Sequence, residues 1–429
     1  MYENGVTGFQ NMLSFGLVDA LLGRRSRRFP LGAEIADGVF AHKSRHSPTP
    51  LSELEKLLVV TACGSNTGWH NLIYRANRYA PHLSNYCGAA GGRTFPSSAG
   101  FHTSVTFFTD DDGVYVLDAR DAPAAAAREK DGSIDLEALV DATKRRITKL
   151  QDRRLDVPRA TPYVEPHNTW VANHPGSLLV IPVGDVAQHH LVAVCYLLQN
   201  GVVLFDDINR RSIPGIERFS GIVDVNNTLP LSLVEMQAVT EVTTELSCSC
   251  YAGTLMLQAM GLGGWMYDGI DPFAVLGASG DPNVKGLGFR YDRDERWAYP
   301  NPTGLEGIMG GFCPPHYPDM RSAVEAVARR KFGPGGPFHP DTPGPWKASR
   351  KVRSAAEVHS EEFKDCVALQ AQYIFDTFGK FPATVPSIFA IMYLQAHHLD
   401  LEFYDTFYKP GAYLKTHADH MEQWHRKTT

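Results

Sequence analysis

Apolar positions in the first 24 residues fall at Phe9, Met12, Leu13, Leu17, Ala20 and Leu21. This is the spacing of one helical face, and it predicts a helix from near Phe9 to the arginines that follow. Arg24 and Arg25 at its end suit the negative pole of the helix dipole. Residues 30–50 are punctuated by Pro30, Gly32, Pro48 and Pro50 and read as irregular. Ser52-Glu53-Leu54-Glu55 then has the form of a helix start, with a serine cap ahead of Lys56-Leu57-Leu58-Val59-Val60. A glycine- and serine-rich loop is expected from Gly64 to Gly100.

Period-two patterning takes over next. Val105-Thr106-Phe107-Phe108 and Val114-Tyr115-Val116-Leu117 flank Asp110-Asp111-Asp112-Gly113, which predicts a hairpin with a polar turn. Three adjacent aspartates invite a metal reading, but a solvated turn is the expected one. Residues 135–154 read as a charged surface helix, and Ser177–Val183 as a buried strand. His190–Leu198 and Val202–Phe205 suggest a second hairpin around Gln199-Asn200-Gly201. A long helix is expected over Leu231–Met260. From Gly304 the chain is rich in glycine and proline, then helical over Glu361–Phe378. No internal repeat is visible. This order of elements predicts an α+β architecture, a central sheet flanked by helices.

Composition narrows the class. The 429 residues can bury a large core and leave room for two or three domains. A formal net charge of -6, with 43% hydrophobic and 21% charged residues, is an ordinary globular profile without the basic excess of a nucleic-acid binder. No stretch approaches the roughly 20 apolar residues of a membrane span. The first residues lack the basic and apolar regions of a signal peptide. Seven scattered cysteines make a secreted disulfide framework an unsuitable description. A cytoplasmic location is therefore expected.

Arg24-Arg25-Ser26-Arg27-Arg28 is the segment with the most evident chemistry. Guanidinium forks and a hydroxyl can surround phosphate oxygens with charge-assisted hydrogen bonds, although a short basic run is more often solvated surface. Two further segments change its meaning. One is Arg93-Thr94-Phe95-Pro96-Ser97-Ser98-Ala99-Gly100 with the hairpin behind it. The other is Ala252–Gly263, a helix closing on a Gly-Leu-Gly turn, followed by Tyr267-Asp268-Gly269.

In this order the three segments resemble the FMN-dependent nitroreductase family, including its larger thiazoline- and oxazoline-oxidase branch. Lys43-Ser44 and Pro50-Leu51-Ser52-Glu53 are similar to that branch as well. The resemblance covers roughly residues 8–290, with an unmatched segment near 184–230. It implies that Arg24, Arg25, Ser26 and Arg28 hold the FMN phosphate and ribityl chain, with Arg27 on the variable position. It also implies that Pro96, Ser97 and Ser98 lie against the flavin ring and ribityl hydroxyls. Backbone amides at Tyr267, Asp268 and Gly269 would meet the flavin edge at N5. Arg290, or in its place Arg293, would add charge on the phosphate side.

The resemblance further implies a mixed, mainly antiparallel sheet wrapped by helices, in a homodimer with flavin at the subunit boundary. Residues 1–303 would form the FMN-binding domain, with 184–230 as an insertion and 304–429 as a partly helical extension. The implied activity is hydride transfer through flavin N5 between a reduced donor, NAD(P)H, and a small organic acceptor. No catalytic acid or base can be singled out. Alternatives are an oxidase or flavin-fragmenting member of the same fold, and a non-catalytic flavin- or metal-binding protein.

Other clusters carry less. Cys248 and Cys250 are two apart on a helix and point about 200° from one another, so packing is expected. The adjacent pairs His189-His190 and His397-His398 have poor chelating spacing. His417 and His420 share a helix face and lie near His425, yet no matching cysteine or carboxylate pattern accompanies them, so a surface helix and no metal are expected. Cys63 near His70 could suggest a nucleophilic thiol, but such pairs are defined in space and not by spacing.

Overall fold

The computed structural model describes residues 7–72, 86–120 and 133–425. Two helices, α1 (Thr7–Leu13) and α2 (Leu17–Gly23), replace the single N-terminal helix expected. The break has a local cause: the Ser14 hydroxyl bonds back to the Asn11 carbonyl at 3.0 Å, and Gly16 caps α2 in an extended conformation. Helix α3 (Glu53–Gly64) starts as its sequence predicts. The Ser52 amide donates to the Glu55 carboxylate at 2.6 Å and the Glu55 amide to the Ser52 hydroxyl at 3.4 Å, a complete capping box.

The expected hairpin forms from β1 (Ser104–Asp110) and β2 (Gly113–Leu117). Its aspartates are turn residues. Asp110 accepts the amides of Asp112 and Gly113 and pairs with Lys56 at 2.6 Å, and Asp111 pairs with Arg154. Over 135–154 only α4 (Leu136–Lys144) is helical, and β3 (Ile147–Gln151) pairs with β2 instead of continuing the helix. Strand β4 (Leu178–Asp185) is buried along its whole length.

The second expected hairpin is absent. Asp185 caps α5 (Val186–Gln199) by accepting the Gln188 amide at 2.8 Å, so the apolar run 190–198 is a buried helix. Periodicity alone does not separate these two forms of a short apolar run. Val203–Asp206 joins a separate three-stranded sheet with Arg211–Ser212 and Thr228–Pro230. The long helix α6 (Leu231–Met260) has the predicted ends and stops at Gly261 with φ 79°.

The chain continues through β5 (Gly263–Tyr267), α7 (Pro272–Leu276), α8 (Met320–Phe332), α9 (Ser349–Arg353) and α10 (Glu361–Phe378). It ends with β6 (Ile388–Phe389), β7 (Tyr393–His397), α11 (Leu401–Phe407) and α12 (Lys415–His425). The central sheet runs β5–β7–β4–β1–β2–β3, with β6 on the far end of β4, and every pairing is antiparallel. The fold is α+β, as expected. No helix among the described residues is long and apolar enough to cross a membrane.

Alternation along β4 divides the interior. Leu178 and Val180 face a core with Leu57, Val60 and Leu257 from α3 and α6, whereas Leu179, Ile181 and Val183 face one with Phe107, Leu276 and Phe289. A third core joins Leu191, Leu204 and Phe219 to Met320, Val324, Val367 and Ile374. Residues from the 184–230 segment and from the region after 304 thus share one interior. Strand β7 lies between β5 and β4, so the sheet itself spans the division expected at residue 303.

Candidate cofactor site

Main-chain bonding fixes the arginine loop. Arg27 and Gly264 exchange two backbone hydrogen bonds, at 3.3 and 2.8 Å, which lay residues 24–28 along β5. Extended backbone alternates its side chains, so Arg27 turns inward while Ser26 is exposed and Arg28 half-buried. Gly264 adopts φ 149°, and a Cβ there would stand 2.1 Å from the Gln395 carbonyl oxygen. Only glycine permits this approach.

Arg27, expected at a variable position, is the buried member of the cluster. It donates to Gln258 Oε1 at 2.8 Å, the Ala412 carbonyl at 2.9 Å and the Gly23 carbonyl at 3.2 Å. Burial pushes its guanidinium down to about 10, with Tyr404 opposing and Arg25 and Arg24 adding to the shift. It remains a cation at neutral pH and acts as the bolt of the loop.

The other arginines are left facing outward. Arg25, Ser26 and Arg28 line a cavity of about 510 Å³ whose walls include Phe29, Phe40, Trp170, Phe403, Tyr404 and Tyr408. Phe29 and Phe403 stack at 4.1 Å between centroids. Among the described residues no carboxylate pairs with Arg24, Arg25 or Arg28; Arg25 bonds to the Leu22 and Arg24 carbonyls and Arg28 to Asn168 Oδ1 at 3.2 Å. Unneutralised guanidiniums beside an aromatic-lined cavity can bind an anion that carries a ring.

The third sequence segment joins this site. Arg28 lies over the Trp265 ring at 5.8 Å, and Trp265 stacks on Tyr267 at 4.5 Å. The Tyr267 side chain is buried and Asp268 is exposed. The amides of Asp268 and Gly269 donate to no acceptor among the described residues. Asn168, missed in the sequence, lies between the two parts. It accepts from Arg28, and its Nδ2 stands 2.4 Å from where a Gly269 Cβ would be. Gly269 is therefore a packing requirement of the site.

The second segment lies elsewhere in the chain. Ser97 donates to Glu245 at 2.5 Å and accepts the His102 amide at 2.9 Å, while Ser98 bonds Glu241. Glu245 and Gln258 are 13 residues apart on α6, which separates these anchors by roughly 20 Å. Pro96 and Ser97 line a different cavity, of about 780 Å³, with Trp69, His70, Arg93 and His102. Ala99 and His102 hold left-handed backbone there, φ 45° and 47°, a strain often kept where function needs it. Arg290 begins the strand Arg290–Asp292 of a separate sheet and pairs with Asp292 at 3.9 Å. Arg293 covers the Tyr291 ring and bonds the Ser279 carbonyl. Neither shares a recorded contact with the arginine loop.

The remaining candidates resolve by burial. Cys63 is fully enclosed and its thiol is pushed up to about 12, so it is no nucleophile. Cys250 packs in the core beside it, as expected for α6. The tail helix is not a plain surface helix. His420 and His425, and not the pair His417 and His420, meet His398 and Glu55 in its shelter. His417 turns instead towards Leu414 and the Arg27 side.

No family model and no curated protein matches the chain. Among solved structures it is similar to a putative nitroreductase from Ralstonia eutropha JMP134 at 13% identity. The match covers 60% of this chain and 72% of that one, with a TM-score of 0.27. A likeness so distant carries no functional argument, and the chain's own residues must supply one.

Proposed function

We propose that the protein is an FMN-dependent oxidoreductase of the nitroreductase type. The observation that carries this reading is the arginine pocket. Arg25, Ser26 and Arg28, which no carboxylate pairs among the described residues, border an aromatic-lined cavity; Arg24 adjoins them in the chain, and Arg28 lies over Trp265 of the strand that leads to residues 267–269. In this pocket Arg24, Arg25, Ser26 and Arg28 hold the phosphate, and the free amides of Asp268 and Gly269 meet the edge of the ring. Bound FMN supplies the redox chemistry, accepting and returning hydride at N5. The chain orients the ring, and donors at its edge favour the charge that develops on reduction. The pocket beside the bound cofactor would admit a donor such as NAD(P)H and a small organic acceptor.

The reading includes a homodimer. Pro96, Ser97 and Ser98 lie too far along α6 to reach the arginines of their own chain, and a second copy supplies them. Supporting this, α2 exposes an apolar face beside the pocket, with Leu22 73% and Val18 65% accessible and Leu17 alongside. Light scattering and FMN titration test the reading together. The expected result is a dimer binding one FMN per chain, with bound flavin reduced by NADPH or NADH. A protein that binds no FMN refutes it.

A further inference from the structure

We infer that Glu55, His398, His420 and His425 form a closed binding site for a divalent transition-metal ion, with zinc the fitting one. Their ligand atoms all lie within 4.8 Å of one another. The closest separations are 2.9 Å between Glu55 Oε1 and His420 Nε2, 3.1 Å between Glu55 Oε1 and His425 Nε2, and 3.1 Å between His398 Nδ1 and His420 Nε2. A tetrahedral zinc with ligands at roughly 2.0–2.1 Å sets them about 3.3 Å apart. Three imidazoles and one carboxylate are a donor set zinc accepts readily.

The outer contacts decide which ring atoms face inward. His420 Nδ1 lies 2.8 Å from the Met260 carbonyl, and His398 Nε2 lies 3.3 Å from the Pro50 carbonyl. A carbonyl can only accept, so each of these nitrogens carries its hydrogen. In neutral rings that leaves two bare lone pairs, on His420 Nε2 and His398 Nδ1, facing each other at 3.1 Å. Two acceptors do not face each other without a positive species between them. A metal ion satisfies both lone pairs, and the outward N–H bonds to carbonyls are the usual support of metal-bound histidines. Glu55 is likewise oriented: the Ser52 amide occupies one carboxylate oxygen, and the other points at the histidines.

Burial makes the site structural. Glu55, His398 and His420 are buried, His425 closes the rim, and four protein ligands leave no open position for a substrate. The ligands come from the first turn of α3, the residue after β7, and α12. The ion therefore fastens the C-terminal helix to the end of β7 and the start of α3. Thr416 of the same helix bonds the Gln258 carbonyl at 2.8 Å, and Trp424 packs against Gly8 of α1, so the staple also braces the elements around Arg27.

The test uses the full chain, stripped with a chelator, desalted, and offered zinc alone or cobalt alone. Wild type should retain one zinc per chain by mass spectrometry, gain thermal stability on loading, and show the intense visible bands of tetrahedral cobalt. His425→Gln at the rim and His398→Gln should each weaken retention by at least about tenfold, whereas His167→Gln, a surface control, should not. Folded wild-type protein that retains no zinc overturns the proposal, and a proton then bridges the two rings. Retention in H425Q and H398Q equal to wild type overturns it as well. If H398Q fails to fold, H425Q and the cobalt spectrum decide.

Discussion

The arginine pocket and the histidine–glutamate cluster both hang from the last turn of α6, and they handle charge in opposite ways. Gln258 holds the bolt of the pocket, Arg27, and the Met260 carbonyl orients His420. In the pocket the flanking guanidiniums stay accessible and unpaired, bordering a cavity. In the cluster the carboxylate and the rings are packed against one another away from water. Burial works against the Glu55 charge, but the contacts to His420 and His425 and the nearby His398 outweigh it and hold its carboxyl below the usual range. The contact to Glu55 in turn raises His425. Cations left without carboxylate partners beside a cavity point to a ligand that comes and goes. Donors gathered in a closed interior point to a fixed joint.

That contrast yields predictions of decreasing size. Arg24→Ala with Arg28→Ala strikes the accessible side. Each charge-assisted contact is worth about 1.5–3 kcal/mol, so FMN affinity should fall by about 10²–10⁴-fold, with the urea midpoint unchanged. A folded double mutant with wild-type affinity would break the comparison. Arg27→Met strikes the bolt instead. Loss of its three bonds, one buried and two partly so, should lower stability by about 3–4 kcal/mol, seen as a fall in the denaturation midpoint. A midpoint equal to wild type would show that the loop does not depend on it.

Acid separates the two regions further. Burial pushes His190 and His397 down to about 3 and His102 to about 2. Below pH 6.5 the unfolded chain takes up protons that the folded chain refuses, so stability falls as pH drops from about 6.5 towards 3. Each histidine contributes up to about 1.4 kcal/mol per pH unit, which should bring unfolding near pH 5 for a protein of ordinary stability. FMN binding through the arginine pocket should persist until the fold is lost. A stability profile flat between pH 7 and 5 would contradict this.

Ser97→Ala offers a smaller test. Ser97 sits on Glu245, far from the arginines of its own chain. In the proposed dimer the change should weaken FMN binding by about tenfold, on the order of one hydrogen bond. An unchanged affinity would confine the cofactor site to a single chain.

Much of the frame was legible in the sequence, and the reasons are local. The capping box at Ser52, the glycine after Met260 and the polar turn closed by Gly113 between two β-branched and aromatic runs are signals that neighbouring residues complete by themselves. The failures were of another kind. The run 190–198 is apolar nearly throughout because most of it is buried, with Tyr196 the exposed exception, and this hides its period. Ile147–Gln151 pairs with a strand 30 residues earlier, and that pairing overrides its charged helical look. In the site, the outward arginines were readable as a cluster, but the inward turn of Arg27 is set by Gly264, more than 200 residues away. Asn168 belongs to the site only through contacts at both of its ends. Glu55 was read as a cap and His420 as a surface residue, and only the return of the C-terminal helix brings them together.

The most direct measurement is an absorption spectrum of the purified protein followed by titration with FMN. The account predicts flavin bands in the purified or reconstituted protein, one FMN per chain, and their loss in the Arg24→Ala, Arg28→Ala variant. A folded wild-type protein that stays colourless and does not bind added FMN would contradict it.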